Sequence, residues 1–237
     1  SIAITKQALH KYEQDLMKPT GEVLIGLSKA LEVKPDYFLR EPVELGSVEF
    51  RKRASLSAKQ AYSIKEKVKD RLERYLEVEQ LLNIKTKFSN PVKNISIAEV
   101  EDVEAAALKL IKSWNLGFDP IPNVIEMLED NGVRVIEMDA PEAFDGLSTF
   151  VGDIPVIVIN KNYAIERKRF TALHELGHLV LTIEKGADKE RICHAFAGSL
   201  LLPDDCLEKL IGDKRNNIAP GELVSIKEQF GISVQAI

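Results

Sequence analysis

Two histidines and a glutamate in the segment TALHELGHLV, residues 171–180, have the types and spacing of a metal site. On a helix, residues four apart lie on one face about 5–6 Å apart, so His174 and His178 can bind one ion through their imidazole nitrogens. Glu175 projects beside them. Zinc held in this way lowers the pKa of a water molecule, and a neighbouring carboxylate takes the proton as the water attacks a carbonyl. The segment therefore favours a hydrolytic zinc site over two ordinary histidines near a core.

A catalytic zinc site needs a third protein ligand and an open position for water. The acidic candidates downstream of the motif are Glu184, Asp188 and Glu190. Glu190 begins ERICHAFAGSLLLP, whose apolar positions form one helical face that can pack antiparallel to the HELGH helix. A short turn around Gly186 would bring Glu190 back over the two histidines. We expect Glu190 to be the third ligand, with Asp188 as the second choice.

The helices and strands predicted around these residues indicate an α+β domain. The runs VRVIEM, DGLSTFV and PVIVIN have the length and composition of strands joined by turns. Beside the HELGH helix, this half of the chain is expected to contain helices at about 99–114, before Gly132, at 189–202 and at 221–229.

The front of the chain is predicted to be helical. Short helices are expected at 5–13, at 22–31 and after Pro35, and EPVELGS at 41–47 and KFSNPVKN at 87–94 are typical of linkers. From Ser57 to about Ile84, apolar residues recur at spacings of three and four, which predicts one long helix with a single apolar stripe. That stripe can dock on a domain or pair with a second copy in a homodimer. We expect docking, because only sustained heptads would favour pairing.

Composition and charge limit the classes of function. The 237 residues are 45% hydrophobic and 29% charged, and the longest apolar runs are far too short to cross a bilayer. The start of the sequence lacks the pattern of a secretion signal, so a cytoplasmic protein without membrane contact and with reduced cysteines is expected. Residues 51–93 carry 12 Lys/Arg against 5 Asp/Glu, whereas residues 94–237 carry 14 against 24. The basic segment permits contact with nucleic acid, although a solvated helix face is the commoner origin of such a segment.

The sequence around the candidate site resembles the ImmA/IrrE family of zinc metallopeptidases. The resemblance lies in RKRFTALHELGHLVL, in E-x-x-x-x-x-F-A-x-x-L-L-x-P at 190–203 and in the preceding FDGLSTFVGDIPVIVIN, and it covers about residues 96–212. It implies a small thermolysin-like domain in which zinc is bound by His174, His178 and Glu190. It also implies that Glu175 is the general base and that the substrate is a partner repressor or antitoxin.

One residue departs from the pattern of that family. Four residues after the third ligand, where the family usually carries Asp or Asn, this chain carries His194. His194 can hydrogen-bond a metal ligand, act as a catalytic residue that stabilises the developing oxyanion, or be a partly buried polar residue. Arg167 and Arg169, just before the motif, can contact substrate carbonyls or form a solvated first turn. The solvated turn is the commoner arrangement.

The first 40 residues resemble a Cro/C1 (Xre) type helix-turn-helix domain from its recognition helix onward. The matching points are Q-A-L-x-K-Y-E, Lys18-Pro19, and L-x-K-A-L-x-V before the aromatic pair Tyr37 and Phe38. The N-terminal half of such a helix enters the major groove. The resemblance implies that the following side chains face DNA: Thr5, Lys6, Gln7, His10 and Lys11. The family has about two more helices before this point, so we expect DNA binding from the complete module and weak binding, or none, from this part alone.

Two functions follow from these patterns. The first is a regulatory zinc endopeptidase that acts on a repressor or antitoxin in a stress, phage or mobile-element response. Its parts would be a partial helix-turn-helix at 1–40, a linker and long helix at 41–93, and a peptidase domain at 94–237. The second is a transcriptional regulator or antitoxin-like protein whose peptidase-like domain acts as a sensor or scaffold. Glu175 favours the enzyme, because a scaffold has no need of a general base. A substrate peptide is expected to add to an exposed sheet edge near Leu147–Val151.

Overall fold

The computed structural model of the chain describes residues 4–39, 49–52, 56–84, 86–212 and 217–237. Two compact units make up the chain, Ser1–Pro42 and Val43–Ile237. The predicted linker at 41–47 lies outside the described residues. Within those residues, every helix is too short or too polar to span a membrane.

The first unit contains two α-helices and a 3₁₀ helix. Helix α1 spans Lys6–Glu13 and helix α2 spans Gly21–Ala30, followed by the 3₁₀ helix Pro35–Leu39. Each α-helix begins after a threonine, Thr5 or Thr20, whose hydroxyl accepts a hydrogen bond from a backbone N–H three residues later. Such caps satisfy donors that have no partner inside the helix. The observed α-helices agree with the predicted ones to within one residue.

The second unit is a mixed α+β fold. Its described helices are α3 (Ala58–Leu81), α4 (Val103–Ser113), α5 (Val124–Asp130), α6 (Ile165–Val180), α7 (Lys189–Leu201), α8 (Asp204–Ile211) and α9 (Pro220–Phe230), with a 3₁₀ turn at Val100–Asp102. Its described strands are β1 (Glu49–Lys52), β2 (Ser96–Ile97), β3 (Arg134–Met138), β4 (Phe144–Val151), β5 (Ile154–Asn160) and β6 (Thr182–Ile183). The sequence did not predict α8, β1, β2 or β6.

Four strands form the main sheet in the order β1-β4-β5-β3. Strand β4 is antiparallel to both β5 and β1, whereas β3 is parallel to β5. A tight turn at Gly152, with a φ of 56°, joins β4 to β5 as predicted. Strand β3 lies on the far side of β5, so the chain between β3 and β4 crosses the end of the sheet and makes no hairpin. Strands β2 and β6 form a separate parallel pair.

The main sheet is covered on both faces, because successive side chains of a strand point to opposite sides. On β5, Val156 and Val158 belong to the apolar cluster that contains α3, and Ile157 and Ile159 belong to the cluster that contains α6. The apolar stripe of α3 contributes three buried side chains to the first cluster: Ile64, Val68 and Leu72. The prediction that the long helix docks on a domain is therefore confirmed.

Polar contacts fix the C-terminal half of α3 against α5 and β3. The Arg134 guanidinium, 5% exposed, lies 2.9 Å from a carboxylate oxygen of Glu79, and the Tyr75 hydroxyl donates to Glu129 at 3.2 Å. Burial, followed by the Glu129 charge, raises the pKa of Tyr75 to about 12. The docked helix thus carries an ion pair and a phenol that are both sensitive to substitution.

The phenol predicts how stability changes at alkaline pH. A folded-state pKa above the usual value of 10 means that the native chain holds the Tyr75 proton more tightly than the unfolded chain. This contribution is complete below pH 10 and is lost as the pH rises towards about 12. Tyr75→Phe should show a shallower loss of stability in that window, measured by urea unfolding with Trp114 fluorescence. Tyr62→Phe, at an exposed tyrosine of α3, is the control and should follow the wild type. The prediction would be contradicted if the free energy of unfolding fell with pH at the same rate in all three proteins.

The predicted linker at 87–94 packs against the second unit. Val92 is fully buried, and the Asn90 side chain donates a hydrogen bond to the Val180 carbonyl at 2.8 Å. The backbone of Phe88 passes so close to Gly132 that a Cβ there would lie 2.8 Å from the Phe88 nitrogen. Gly132 also has a φ of 84°, so this contact requires glycine. The segment therefore behaves as part of the core and not as a tether.

Candidate metal centre

Helix α6 carries the HELGH residues through the interior of the second unit. Nine of its residues are buried, and among them His174 is 0% exposed and Glu175 is 1% exposed. Apolar neighbours Leu173 and Leu176 anchor the helix in the core. A helix held on several sides cannot easily rotate, so the polar side chains of the motif keep fixed directions.

Three donor groups converge at one point between α6 and α7. The Nε2 atoms of His174 and His178 are 3.0 Å apart, and each lies 3.3 Å from a different carboxylate oxygen of Glu190. All three ligand atoms lie within 4.8 Å of one another. Glu190 stands in the first turn of α7, and its side chain is 58% exposed, so the point of convergence opens to solvent on that side.

The donor set and its dimensions fit a zinc ion. Neutral imidazole and carboxylate are ordinary zinc ligands at about 2.0–2.2 Å, and tetrahedral ligands at such distances lie about 3.3 Å from each other. The measured separations of 3.0–3.3 Å match that edge length. Three protein ligands with an open side are also the pattern of catalytic, as opposed to structural, zinc sites.

Glu175 is held on the sheet side of α6. The hydroxyl of Ser148, on β4, donates a hydrogen bond to Glu175 Oε2 at 2.7 Å, and both residues are buried. Gly146, two residues earlier on β4, leaves the space that the other carboxylate oxygen needs. A Cβ on Gly146 would lie 3.2 Å from Glu175 Oε1 and 3.0 Å from the Val158 carbonyl oxygen. Strand β4 therefore sets the position of the carboxylate next to the three donor groups.

Cys193 contacts the second nitrogen of a candidate ligand. Its Sγ lies 3.6 Å from His178 Nδ1. A metal-binding imidazole usually has a hydrogen-bond partner at its other nitrogen, and that partner fixes the ring orientation. The backbone at Gly177 approaches α7 so closely that a Cβ there would lie 3.2 Å from Cys193 Sγ. From the sequence, the cysteines were expected only to be reduced, and neither Cys193 nor Ser148 was predicted to lie at this site.

His194 lies beside the donor triad without joining it. Its ring centroid is 4.4 Å from that of His174 and 5.5 Å from that of Phe170. The side chain is partly buried. A wide cleft of about 890 Å³ begins at this ring, and Phe170, Leu202, Leu207 and Ile232 contribute to its apolar lining. His194 therefore stands between the triad and the cleft.

The other acidic candidates have different roles. Asp188 caps α7, since its carboxylate accepts the Arg191 backbone N–H at 3.1 Å, and Glu184 accepts a hydrogen bond from Ser96 at 2.9 Å. Neither residue belongs to the triad, whose third donor is Glu190.

The two arginines before the motif do not form a solvated first turn. The Arg169 guanidinium is buried and donates to the carbonyls of Pro122, Phe230 and Gly231 at 3.2–3.3 Å, and burial lowers its pKa. Arg169 therefore ties α6 to the end of α9. Arg167 pairs with Asp145. The alternative of a contact with substrate carbonyls is therefore not supported for Arg169, whereas Arg167 also lines the cleft beside His194.

The residues expected at a DNA surface lie on α1 and at its start. Lys6, Gln7, His10 and Lys11 are exposed, whereas the Thr5 hydroxyl caps the helix by accepting the Ala8 N–H at 3.1 Å. All five residues are thus exposed, and among them the Thr5 hydroxyl already accepts a hydrogen bond within the chain.

The fold and the site define a class: an α+β domain in which a buried helix and its neighbour present two imidazoles and a carboxylate to one point. Residues 128–237 match the family model Peptidase_M78, which is described as an IrrE N-terminal-like domain. This match indicates a metallopeptidase-like fold for residues 128–237, the part of the chain that holds the triad. Among solved structures, a Mycobacterium tuberculosis transcriptional regulator is similar over 58% of this chain and 45% of that chain, with 16% identity and a TM-score of 0.41. No curated protein matches the sequence significantly.

Proposed function

We propose that residues 94–237 form a zinc-dependent endopeptidase domain that cleaves a partner protein. The observation that carries this proposal is the convergence of His174, His178 and Glu190 within 4.8 Å, together with the buried carboxylate of Glu175, the residue that follows His174. A site that only bound a metal ion would have no need of a further carboxylate beside its ligands. The fourth group, held by its own hydrogen bond to Ser148, favours catalysis.

Each residue has a distinct part in this reaction. When bound, zinc supplies Lewis acidity, which activates water as a nucleophile and polarises the scissile carbonyl. Glu175 takes the proton of the attacking water and returns it to the leaving amine. Ser148 keeps the Glu175 carboxylate in one orientation through Oε2. His194, between the triad and the cleft, is placed to donate a hydrogen bond to the oxyanion that develops on the substrate.

The substrate we propose is a repressor or antitoxin, cleaved in the cytoplasm as part of a stress, phage or mobile-element response. The first unit would supply DNA binding through Thr5, Lys6, Gln7, His10 and Lys11. The domain limits 1–40, 41–93 and 94–237 and a homodimer are parts of the same proposal. The exposure of these five residues on α1 and at its start supports the DNA-binding part.

A second candidate function is a regulator whose peptidase-like domain binds metal as a sensor or scaffold. The observation that favours it is His194, which takes the place of an acidic or amide residue and packs its ring on His174. Metal binding without peptide cleavage would distinguish this function from the first.

Metal content tests the site directly. After loading with zinc and desalting, the wild type is expected to hold about one zinc per chain, since the three donors match the zinc ligand set. His174→Ala with His178→Ala should hold almost none, because a single carboxylate remains. The measurement is plasma mass spectrometry on the full chain, and His10→Ala, at an exposed histidine of α1, is the control. Equal zinc content in the wild type and the double variant would refute the metal site. In a separate activity assay, the wild type should cleave a peptide library that the double variant leaves intact.

A further inference from the structure

Strand β1 covers one edge of β4, the strand that contacts Glu175. Glu49, Phe50 and Arg51 pair antiparallel with Ser148, Leu147 and Gly146. The other edge of β4 pairs with β5 over Gly146–Val151. The expectation of an exposed edge near Leu147–Val151 is therefore wrong for Leu147 and Ser148, because the chain itself supplies the neighbouring strand.

The stretch of β4 that pairs with β1 includes the residues that contact Glu175. The two β4 residues next to this carboxylate are Ser148, which donates to Oε2, and Gly146, whose missing side chain makes room for Oε1. Their partners on β1 are Glu49 and Arg51. Paired strands lie about 4.7–4.9 Å apart, so the β1 backbone runs one strand spacing from the residues that position the base.

We propose that β1 occupies the binding edge for the substrate, and that an extended segment of a partner protein gains access by replacing β1 on β4. This inference rests on the proposed function, because it concerns the substrate of the same site. A peptide bond can react only close to Glu175, and an extended segment paired with Gly146–Ser148 would be the strand next to the two residues that contact this carboxylate. Addition of a strand to a sheet edge is a common mode of peptide recognition, in which backbone hydrogen bonds supply affinity.

The dimensions of β1 suit a replaceable strand. It has four residues, it pairs on one side with β4, and its register shifts between Arg51 and Lys52. The strand sits at one end of the main sheet's strand order. A short edge strand of this kind makes few ladder hydrogen bonds, and a longer partner segment can make more.

Covalent attachment makes β1 an effective competitor. A tethered segment acts at a high effective concentration, in the millimolar range for short connections. A free peptide must overcome that local concentration before it pairs with β4. Weakening β1 should therefore raise the affinity for an added peptide without any change to β4 or the metal ligands.

The test measures binding of a fluorescein-labelled peptide with the sequence SVEFRKRA, residues 47–54, to the full chain. All proteins carry Glu175→Gln, so a bound peptide is not cut. Phe50→Pro with Arg51→Pro removes two backbone N–H groups from β1, whereas Phe50→Ala with Arg51→Ala removes the same side chains and keeps the N–H groups. The proline pair is expected to bind the peptide at least about tenfold more tightly than the Glu175→Gln parent. The alanine pair is expected to bind like the parent, as read by fluorescence anisotropy.

Unchanged affinity in the proline pair, or an equal gain in both pairs, would overturn the inference. Trp114 fluorescence shows whether the proline pair folds. If it does not fold, the inference is tested instead by amide hydrogen exchange on the Glu175→Gln parent. Saturating peptide should then speed exchange of the amides of Glu49–Lys52 and leave those of β5 protected, and continued protection of both would overturn the inference. This test measures peptide binding and not cleavage. A chain that binds zinc but cleaves no peptide would therefore refute the proposed function without contradicting the replacement of β1.

Discussion

Replacing Glu175 by glutamine is expected to lower kcat for peptide cleavage by roughly 10²–10⁴-fold, the usual contribution of a general base. Glutamine has the length of glutamate and can still bond to Ser148, but its amide cannot take a proton from water. The three metal donors are separate side chains, so zinc content should stay that of the wild type. Turnover of a quenched-fluorescence peptide and plasma mass spectrometry on the same samples would check both parts.

The control for this variant is Glu166→Gln on the same helix. Glu166 stands in the first turn of α6 and lies 3.4 Å from Lys227. The change removes the same charge at a distance from the triad, and activity should stay close to that of the wild type. Full turnover in Glu175→Gln would exclude a general-base role. Joint loss of zinc and activity in Glu175→Gln would instead make the glutamate a structural support of the metal site.

Replacing Glu79 by alanine is expected to lower the free energy of unfolding of the second unit by about 3 kcal/mol. The reason is the Arg134 guanidinium, which is 5% exposed and would lose the carboxylate that lies 2.9 Å from its Nε. Removal of one partner from a buried pair leaves a charge without compensation. The carbonyls of Gly132 and Thr86 still accept hydrogen bonds from the same side chain, which keeps the loss at the lower end of the range for such pairs.

Urea unfolding at neutral pH with Trp114 fluorescence would measure this change. Trp114 is the single tryptophan of the chain and packs against the core of the second unit, so its signal reports that unit. Glu77→Ala, at an exposed position of α3, is the matched control and should change stability by less than about 0.5 kcal/mol. A loss below about 1 kcal/mol in Glu79→Ala would mean that the two carbonyls alone satisfy Arg134.

The local patterns that predicted the fold were those that a single helix or strand can express. The stripe of α3 repeats at three and four residues, and the absence of sustained heptads predicted docking, which Ile64, Val68 and Leu72 confirm. The candidate metal ligands could be predicted for the same reason. The four-residue spacing of His174 and His178, and the acidic residue Glu190 at the start of the next helix, are local properties of the sequence. Glu190 indeed lies with the two histidines in the structure.

Features that depend on contacts between distant segments could not be read from the sequence. The segment EFRK has no alternation of apolar and polar residues, and it becomes strand β1 only through pairing with β4. Arg169 looked like a solvated residue, yet it bonds to carbonyls about 60 residues away. Ser148 gave one signal that was missed, since a hydroxyl inside an otherwise buried strand usually has a specific partner.

The close contact at Gly177 also bears on what the chain does before any ion arrives. Because Gly177 has no side chain, the backbone of α6 packs directly against Cys193 of α7. A Cβ on Gly177 would lie only 3.2–3.3 Å from the atoms of Cys193. The spacing of the two ligand-bearing helices is thus fixed by packing of the core. Ion binding therefore requires little ordering of the protein, unlike in small zinc domains that fold only around their metal. A chelator should therefore remove a bound metal ion from this preorganised site without unfolding the chain. The chain would then be able to release and rebind the ion in its folded state.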